Sequence, residues 1–422
     1  MTEWDLTPPP LSDLGDHDVY RLGNHLLGKR VALLVTGSIA AMKAPLIARS
    51  LRQQGAEVVA YVSSEALRYT TADALEWSTT NSVVTQLSAH SEHLSDTTPF
   101  DIFLVAPATY NTINKMANGI ADGVITTTLG SALGRMEQGK SKVLIAPTMH
   151  NSLHNSILTE SLKKLKAMGV QIIPPREGNG KHNIPDEQTL TASVCRAASA
   201  SPLKKVPILV TGGPTPVPID NVRRIINRFR GKLGINILEE LYLRGADVQL
   251  IHGDSGSLPP KHLPYVVAKT YDDYYDKVMS ELKQKEYAMG LFSAGVADYR
   301  PEKTLPGKTP SGQNLSLNLV PTVKVIDEVK KQFPTLFMLT FKYQEGLSHN
   351  ELMEIAYHRL NSGYPAIVAN RGEEVGPNGE QIAHLVTGVG QTKKFIGKQE
   401  IAIGIANYLE EIKLLFSEAI QK

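Results

Sequence analysis

The sequence predicts an α/β protein with two doubly wound, mostly parallel-sheet (Rossmann-like) domains in tandem. Two observations support this fold class. Short apolar runs rich in β-branched residues alternate with helical patterns, as expected of parallel strands joined by crossover helices. The alternation restarts in mid-chain, and each half opens with a hydrophobic strand that leads into VTG, at 33–40 (LLVTGSIA) and at 208–215 (ILVTGGPT). A chain of 422 residues is also too long for one ordinary core.

The strands and helices follow from the same patterns along the chain. A helix over 47–55 ends at Gly55, a residue suited to a helix C-terminus, and a second helix is expected around 231–244. Residues 187–206 are rich in Ser and Ala and indicate a short helix followed by a linker. The predicted strands are VALLVT (31–36), EVVAYV (57–62), DIFLVA (101–106) and KVLIAP (142–147), then PILVTGG (207–213), YAMGLFSAGVADYR (287–300), LFMLTF (336–341) and YPAIVAN (364–370). The expected divisions are an N-terminal extension (1–28), a first domain (29–190), a linker (191–206) and a second domain (207–415).

The composition argues against several classes of protein. A formal net charge of +2 gives no electrostatic reason to bind nucleic acid or an anionic membrane. Cys195 is the only cysteine, so neither a disulfide framework nor a thiolate metal site is expected. The N-terminal segment has no basic region followed by an apolar core, and no apolar run approaches the ~18–20 residues of a membrane span. We therefore expect a cytoplasmic protein.

Both VTG turns are candidate sites for phosphorylated ligands. Ligands of parallel sheets lie at the carboxyl ends of strands, where helix N-termini offer free N–H groups to an anion. The alternative is that Gly37 and Gly212 only permit tight strand–helix turns. Neither turn is a G-x-G-x-x-G or Walker sequence, which disfavours a standard dinucleotide or P-loop site.

The first half carries a series of motifs: VTGSIAAMK (35–43), His93, APATYNTINKMANGIAD (106–122), APTMHNS (146–152) and PPREGNGKHNIP (174–185). In this order they resemble the flavoprotein family of cysteine decarboxylases, whose members bind FMN. His93 keeps the family's spacing to Pro107, which implies a catalytic histidine that acts on the substrate thiol as a base or by positioning it. Without that spacing, a solvated loop histidine would be the better interpretation. The resemblance implies FMN contacts from small and polar residues, namely Gly37, Ser38, Ser63, Thr109, Asn111 and Thr112.

The stretch 174–185 resembles the family's substrate-covering flap and implies substrate contacts by Gly178, Gly180 and Lys181. Two positions depart from the family. His150 replaces the asparagine that holds the substrate carboxylate and is implied to bind the substrate in its place, since histidine can also donate to a carboxylate. Pro174 replaces the cysteine that donates the last proton to the enethiol. The reaction then stalls at the enethiol, or another group supplies the proton, or this half only binds FMN. His182 is the only titratable candidate in the flap, whereas Cys195 is expected to be an inert helix residue.

The second half contains IDNVRRIINRFRGKLG (219–234) and SAGVADYRP (293–301), followed by Lys308, and resembles phosphopantothenate–cysteine ligase. The resemblance implies that Asn227 helps hold the acyl-nucleotidylate and that Lys308 stabilises charge at the α-phosphate. It also implies that Arg223 contacts the substrate. Asp298, Phe341 and Lys308 are implied to contact the nucleotide. The alternative interpretations are a helix cap for Asp298 and a solvated loop charge for Lys308.

In this order the halves resemble the bifunctional coenzyme A biosynthesis flavoproteins over roughly residues 29–410. The implied reactions are ligation of 4′-phosphopantothenate with cysteine, using CTP or ATP with Mg²⁺, and FMN-dependent decarboxylation of phosphopantothenoylcysteine to 4′-phosphopantetheine. The Mg²⁺ ligands stay unassigned. Two alternatives are a ligase with an inactive FMN domain and a non-catalytic FMN-binding regulatory or oligomerisation protein. The resemblance also implies a homo-oligomer with flavin-domain trimers and ligase-domain dimers.

Overall fold

The chain forms two compact units in the computed structural model, residues 1–199 and 200–422. The structure describes residues 5–94, 97–312 and 314–421, with side chains up to Phe416. Each unit is an α/β domain with a mostly parallel sheet, so the predicted fold class is confirmed. Among the described residues, no helix is long and apolar enough to cross a bilayer.

The first unit contains eight strands and six α-helices within the described residues. They are β1 (Arg30–Val35), α1 (Ala44–Gln53), β2 (Glu57–Val62), α2 (Ala72–Thr79), β3 (Ile102–Ala108), α3 (Tyr110–Ala117), α4 (Val124–Glu137), β4 (Lys142–Pro147), β5 (Met149–His150), α5 (Ser156–Ala167), β6 (Gln171–Ile172), β7 (Arg176–Gly178), β8 (Lys181–Asn183) and α6 (Glu187–Ala198).

The main sheet of the first unit has the order β2-β1-β3-β4-β6, and all of its strand pairs are parallel. Every residue of β3 is buried, and β1 is buried after its first residue. Parallel strands covered by helices on both faces require such continuous apolar runs. A separate antiparallel sheet has the order β5-β8-β7.

The second unit contains twelve strands and five α-helices within the described residues. They are β9 (Pro207–Gly212), β10 (Val217–Pro218), β11 (Arg224–Ile225), α7 (Lys232–Leu243), β12 (Asp247–Gly253), β13 (Tyr265–Ala268), α8 (Tyr271–Gln284), β14 (Met289–Phe292), β15 (Tyr299–Pro301), β16 (Leu319–Pro321), α9 (Val325–Gln332), β17 (Phe337–Gln344), α10 (His349–Asn361), β18 (Ala366–Arg371), β19 (Ile382–Gly388), β20 (Gln391–Ile396) and α11 (Lys398–Gln421).

The sheet of the second unit has the order β13-β12-β9-β14-β17-β18-β19-β20. It is parallel from β13 to β18, and β19 and β20 extend it as an antiparallel edge. Within the predicted run 287–300, only Met289–Phe292 forms a strand of this sheet, and the end of the run enters β15 of a separate two-stranded sheet. The residues after Phe292 leave the sheet and form a loop at its carboxyl edge, and that loop belongs to the site described below.

The end of α6 corrects the predicted linker. Residues 191–198, which the sequence analysis assigned to a linker, complete this helix within the first unit. Thr191 Oγ1 donates to Ser50 Oγ on α1 at 2.8 Å, and Cys195 is fully buried, as expected of an inert helix residue. The Ser/Ala-rich composition therefore provides small side chains for packing on a neighbouring helix rather than a flexible connection.

The C-terminal part of the predicted N-terminal extension packs on the first unit. The N–H of Leu26 donates to the Gln54 carbonyl at 2.8 Å, and the Leu26 side chain is fully buried. The N–H of Leu22 donates to the Gln53 carbonyl at 2.9 Å. These contacts tie residues 22–26 to the C-terminal end of α1. Residues 1–4 lie outside the described part of the chain.

Candidate functional site

Each main sheet has a point at which the chain reverses the direction of strand addition. The reversal lies between β1 and β3 in the first unit and between β9 and β14 in the second. Doubly wound proteins bind ligands in the crevice that such a reversal opens at the carboxyl ends of the strands. Most of the residues singled out in the sequence follow these strands. We call the two places the first crevice and the second crevice.

Thr36 connects the two loops that flank the first crevice. Its Oγ1 donates to the Pro107 carbonyl at 2.7 Å and lies 3.4 Å from Oγ1 of Thr109. Thr109 is the N-cap of α3 and accepts from the N–H of Thr112 at 3.4 Å. The hydroxyls of Thr109 and Thr112 are 3.1 Å apart. Small hydroxyl side chains thus meet where β1 and β3 end, while Asn111 is exposed on the first turn of α3.

The other predicted flavin contacts lie in the turns after β1 and β2. Ser38 caps a short 3₁₀ turn by accepting from the N–H of Ala40 at 3.3 Å. Ser63 donates its N–H to the carbonyl that ends β1, at 3.1 Å, so the two turns are adjacent. A Cβ on Gly37 would lie 2.5 Å from Cβ of Glu65, so this close approach requires glycine. Glycine, hydroxyl groups and N–H groups at one sheet edge fit a phosphate-bearing ligand.

His93 lies in a turn that is fastened to β2, because the Tyr61 hydroxyl donates to the Glu92 carbonyl at 2.8 Å. Burial raises the pKa of Tyr61 to about 12, so its hydroxyl remains a donor. Nδ1 of His93 is buried and has no hydrogen-bond partner among the described residues. A buried unpaired nitrogen is costly unless a ligand or water completes it. Nδ1 of His93 can therefore form a hydrogen bond to a bound ligand.

The flap is a β-hairpin. Gly178 pairs with Lys181, and the two residues between them, Asn179 and Gly180, have φ values of 53° and 65°. Two consecutive positive φ angles define the type I′ turn that Asn-Gly favours in two-residue hairpins. Strand β8 also pairs with β5, with His150 opposite Lys181. The structure therefore brings the four predicted substrate residues of this region together.

One histidine lies in this hairpin and two others lie beside it. Nδ1 of His150 accepts from the N–H of Ser152 at 3.3 Å, so a neutral His150 carries its hydrogen on Nε2, where it can donate to a carboxylate. Nε2 of His182 lies 2.8 Å from Nδ1 of His154. Nδ1 of His182 is buried without a hydrogen-bond partner among the described residues. His154 was not singled out in the sequence, because only the folded hairpin brings it to His182.

The second crevice is lined by glycines at which backbone segments nearly touch. A Cβ on Gly231 would lie 2.2 Å from Cε1 of His252 and 2.8 Å from Cα of Gly213. Gly231 and Gly213 both have φ +75°, a region that favours glycine. A Cβ on Gly212 would lie 3.3 Å from Cα of Gly234 on α7. The N-terminus of α7 therefore packs directly on the end of β9, the arrangement in which helix N–H groups can face an anion.

Asn227 joins the two loops of the second crevice. Its Nδ2 donates to the Gly295 carbonyl at 2.5 Å, and its Oδ1 accepts from the N–H of Phe229 at 3.2 Å. The N–H of Gly295 in turn donates to the Gly213 carbonyl, which follows β9, at 2.9 Å. Asn227 therefore braces the loop after β14 against the segment before α7.

Asp220 was not singled out by the sequence analysis, yet its buried carboxylate ties two loops together. It accepts from the N–H groups of Val222 at 2.8 Å, Arg223 at 2.6 Å and Thr309 at 3.1 Å. The Arg223 guanidinium donates to the carboxylate at 2.7 Å and to the Thr309 carbonyl at 3.0 Å. These hydrogen bonds, led by that from the Arg223 N–H, lower the pKa of Asp220. The segment carrying Arg223 is thus fastened to the loop carrying Lys308, whose side chain is exposed.

Asp298 is exposed and forms an ion pair with Lys324 rather than capping a helix. Lys342, which follows Phe341 on β17, is half-buried. Burial is the main cause of its lowered pKa, and the positive charges of Arg359 and Lys324 add to it while Asp298 opposes. Asp298, paired with Lys324, is thus within electrostatic range of Lys342 and Arg359, an excess of positive charge that suits a polyanionic ligand. The sequence analysis did not assign these three basic residues because their proximity depends on separate elements.

Phe341 occupies the central strand β17. Its side chain packs partly against the core between the sheet and α7, and its carbonyl accepts from Arg359 at 3.0 Å. This hydrogen bond holds Arg359 against β17, the strand that also carries Lys342. Asn370 is buried on the adjacent β18, opposite Tyr343.

The fold and the two crevices define a tandem of doubly wound domains, each with a strand-order reversal of the kind at which such folds bind ligands. Residues 20–199 match the family model described as Flavoprotein. Residues 203–412 match the model described as DNA/pantothenate metabolism flavoprotein C-terminal domain. The two halves therefore match two different family models.

Curated relatives contain both halves in this order. The coenzyme A biosynthesis bifunctional protein CoaBC of Thermococcus kodakarensis is 34% identical over 393 residues, which cover 92% of this chain and 96% of that protein. The CoaBC of Methanocaldococcus jannaschii is 30% identical over 82% of this chain and 84% of its own. A solved DNA/pantothenate metabolism flavoprotein from Streptococcus pneumoniae is 25% identical over 49% of this chain and 99% of its own, with a TM-score of 0.44. The chain belongs to the family of bifunctional coenzyme A biosynthesis proteins, and the resemblance found in its sequence is confirmed.

Proposed function

We propose that the second unit joins 4′-phosphopantothenate to cysteine with CTP or ATP and Mg²⁺, and that the first unit decarboxylates the product with FMN. The observation that carries the ligase proposal is the fastening of three loops around the second crevice. Asn227 holds the loop after β14, and Asp220 holds the segment with Arg223 against the loop with Lys308. Family membership supports the order of the two reactions.

The ligase chemistry requires positive charge around a phosphate. The phosphopantothenate carboxylate attacks the α-phosphate, pyrophosphate leaves, and the cysteine amine then displaces the nucleotide from the acyl-nucleotidylate. Lys308 stabilises charge at the α-phosphate, and Arg223 and Asn227 hold the substrate and the intermediate. Phe341 and Asp298 contact the nucleotide, with Lys342 added from the structure as a further cation. Mg²⁺ accompanies the triphosphate, as oxygen-rich phosphate ligands require.

The first crevice suits FMN because hydroxyls, a glycine turn and N–H groups converge at Thr36, Gly37, Ser38 and Thr109. Bound FMN would supply the two-electron acceptor for oxidation of the substrate. His93 positions the substrate thiol or takes its proton through the nitrogen that is unpaired in this structure.

The hairpin completes the decarboxylase site as a cover over the substrate. Gly178, Gly180 and Lys181 approach the substrate through the hairpin, and His150 donates Nε2–H to its carboxylate. Pro174 offers no proton for the last step. His182, hydrogen-bonded to His154, is the histidine of the hairpin and the first candidate to replace the missing cysteine.

A ligase with an inactive FMN domain is the second candidate, favoured by Pro174 and His150. We further propose a cytoplasmic homo-oligomer with trimers of the flavin half and dimers of the ligase half. The non-catalytic alternative is less economical because a purely regulatory protein has no need to retain all three of Asn227, Asp298 and Lys308.

Mass-spectrometric product analysis tests the proposal. Purified protein is incubated with 4′-phosphopantothenate, cysteine and Mg²⁺, separately with CTP and with ATP. Phosphopantetheine is the expected product, and its appearance requires a proton donor other than a flap cysteine. A product two hydrogens lighter is the stalled enethiol. Phosphopantothenoylcysteine alone leaves the ligase and rejects the decarboxylase, and no product with either nucleotide rejects both activities.

A further inference from the structure

Two histidines and a glutamate meet in the second unit outside the residues used above. Nδ1 of His349 lies 2.8 Å from Oε1 of Glu374, and Nε2 of His384 lies 2.8 Å from Oε2 of the same carboxylate. The three ligand atoms all lie within 4.8 Å of one another. Within the described residues this is the one group of three or more His, Cys, Asp or Glu side chains close enough to hold a metal ion. We refer to it as the His–Glu–His cluster.

We propose that the His–Glu–His cluster binds one divalent transition-metal ion, with zinc as the preferred ion. Zinc takes imidazole nitrogen at about 2.0–2.1 Å and carboxylate oxygen at about 2.0–2.2 Å. Three such atoms around one tetrahedral ion are roughly 3.3 Å apart, so the observed separations need side-chain shifts on the order of 1 Å. Two imidazoles and one carboxylate form a recognised donor set for zinc and iron(II).

The three ligands come from three different elements, which the metal would hold together. His349 begins α10, Glu374 lies in the turn after β18, and His384 lies on β19. His384 is buried, with 8% of its side chain exposed, while His349 is 45% exposed. The cluster therefore has a closed inner side and an open mouth, so water can occupy the remaining coordination position.

One positive charge competes for the same carboxylate. Nε of Arg371 lies 3.2 Å from Oε1 of Glu374. The Arg371 guanidinium also donates to the Leu347 carbonyl in the loop before α10, so part of it is held by that loop. Oε2 contacts His384, so the two imidazoles and Oε2 can close on a metal while Arg371 stays with its loop.

A metal ion bound at this position would stabilise the loops at the carboxyl edge of the sheet. The turn with Glu374 follows β18, and its first residue, Gly372, donates its N–H to the Gln344 carbonyl at the end of β17 at 3.1 Å. Glu373 accepts from the N–H of Gly346 at 2.6 Å. Bound zinc would thus fix the two loops that follow β17 and β18 at the carboxyl edge of the sheet. This role is independent of the ligase proposal.

Metal analysis of the intact chain tests the proposal. Tag-free protein is stripped with a chelator, dialysed against zinc in excess Mg²⁺ and measured by elemental mass spectrometry. Mg²⁺ prefers oxygen ligands and does not compete for an imidazole-rich site. The expected result is one zinc per chain, a higher Tm than the stripped protein, and intense visible d–d bands when Co²⁺ replaces zinc.

Variants assign the ion to the cluster. His349→Ala, Glu374→Gln and His384→Ala should each weaken zinc binding at least tenfold, and the exposed position of His349 makes its variant the least harmful to folding. His358→Ala, an exposed histidine on the same helix, and His182→Ala in the first unit should bind zinc like the parent. Absence of stoichiometric zinc in the parent, or equal loss in the control variants, overturns the proposal.

Discussion

Asn227→Asp tests the hydrogen bond by which Asn227 holds the loop after β14 at the second crevice. The substitution keeps the size of the side chain and the acceptor for the Phe229 N–H, but it replaces the Nδ2 donor to the Gly295 carbonyl with an oxygen. The lost hydrogen bond costs about 1 kcal/mol, and two acceptors left facing each other add about 1–3 kcal/mol. The loop after β14 therefore separates from its partner with a penalty of about 2–4 kcal/mol.

At about 1.4 kcal/mol for each factor of ten, this penalty lowers the ligase kcat/KM roughly 30-fold to several hundred-fold. Asn227→Ala removes both hydrogen bonds without creating repulsion, so it should cost only about 1–3 kcal/mol. The aspartate variant is therefore expected to be slower than the alanine variant. Because the new carboxylate also repels an anionic intermediate, the uncharged alanine variant measures the loss of the two hydrogen bonds without that repulsion.

Pyrophosphate release with 4′-phosphopantothenate, cysteine and nucleotide gives the rates. Asn236→Asp is the matched control, since among the described residues that amide makes one 3.4 Å hydrogen bond, to Gln399 on α11, and none to the loop after β14. Flavin content measures whether the first unit is unaffected. A kcat/KM within twofold of the parent for Asn227→Asp, or a slower alanine variant, would refute the bracing argument.

Three other substitutions probe both crevices. Gly231→Ala places a methyl group against the His252 ring and adds about 1–2 kcal/mol of left-handed backbone strain, whereas Gly256→Ala, at φ +73°, meets nothing within 4 Å. Thermal melts should therefore show a larger fall in Tm for Gly231→Ala than for Gly256→Ala, and equal falls in Tm would contradict the clash. The folded-state pKa of Lys342 lies below its unfolded value, so the folded protein loses this charge before an ordinary lysine would as pH rises. As pH is raised, the KM for nucleotide should therefore begin to increase earlier in the parent than in Lys342→Arg. Superimposable pH profiles would reject a role for this charge. Thr36→Val leaves a strand-end carbonyl unpaired and costs about 1–3 kcal/mol, so flavin should be lost more readily on gel filtration, and parental flavin retention contradicts this.

The fold class and the location of both crevices followed from the sequence because they depend on local patterns. Apolar runs mark buried parallel strands, and the turns after β1 and β9 carry glycines at close approaches, which Gly37 and Gly212 show in the structure. The short helix expected within 187–206 is present as α6, but its end at Ala198 could not be predicted, since Ser and Ala suit a tight helix interface as well as an irregular segment.

The side-chain groups that depend on long-range geometry could not be predicted. In the sequence nothing distinguishes Asp220 from other loop carboxylates, because its hydrogen bond from the Thr309 N–H joins residues far apart in the chain. Lys342 is one lysine among many, and only the meeting of separate elements surrounds it with other charges. His154 and His182 likewise meet only because the hairpin folds back.

The Asn179–Gly180 turn has a consequence for the thermodynamics of substrate binding. Backbone pairing within the hairpin and with β5 orders its eight residues, 176–183, when the protein folds. A flexible lid of the same length would lose ~1–2 kcal/mol of backbone entropy per residue at the moment of binding. Calorimetry of substrate binding should therefore show only a small unfavourable entropy, and a Gly180→Val variant that unfolds the turn should bind with a larger entropic penalty at similar enthalpy.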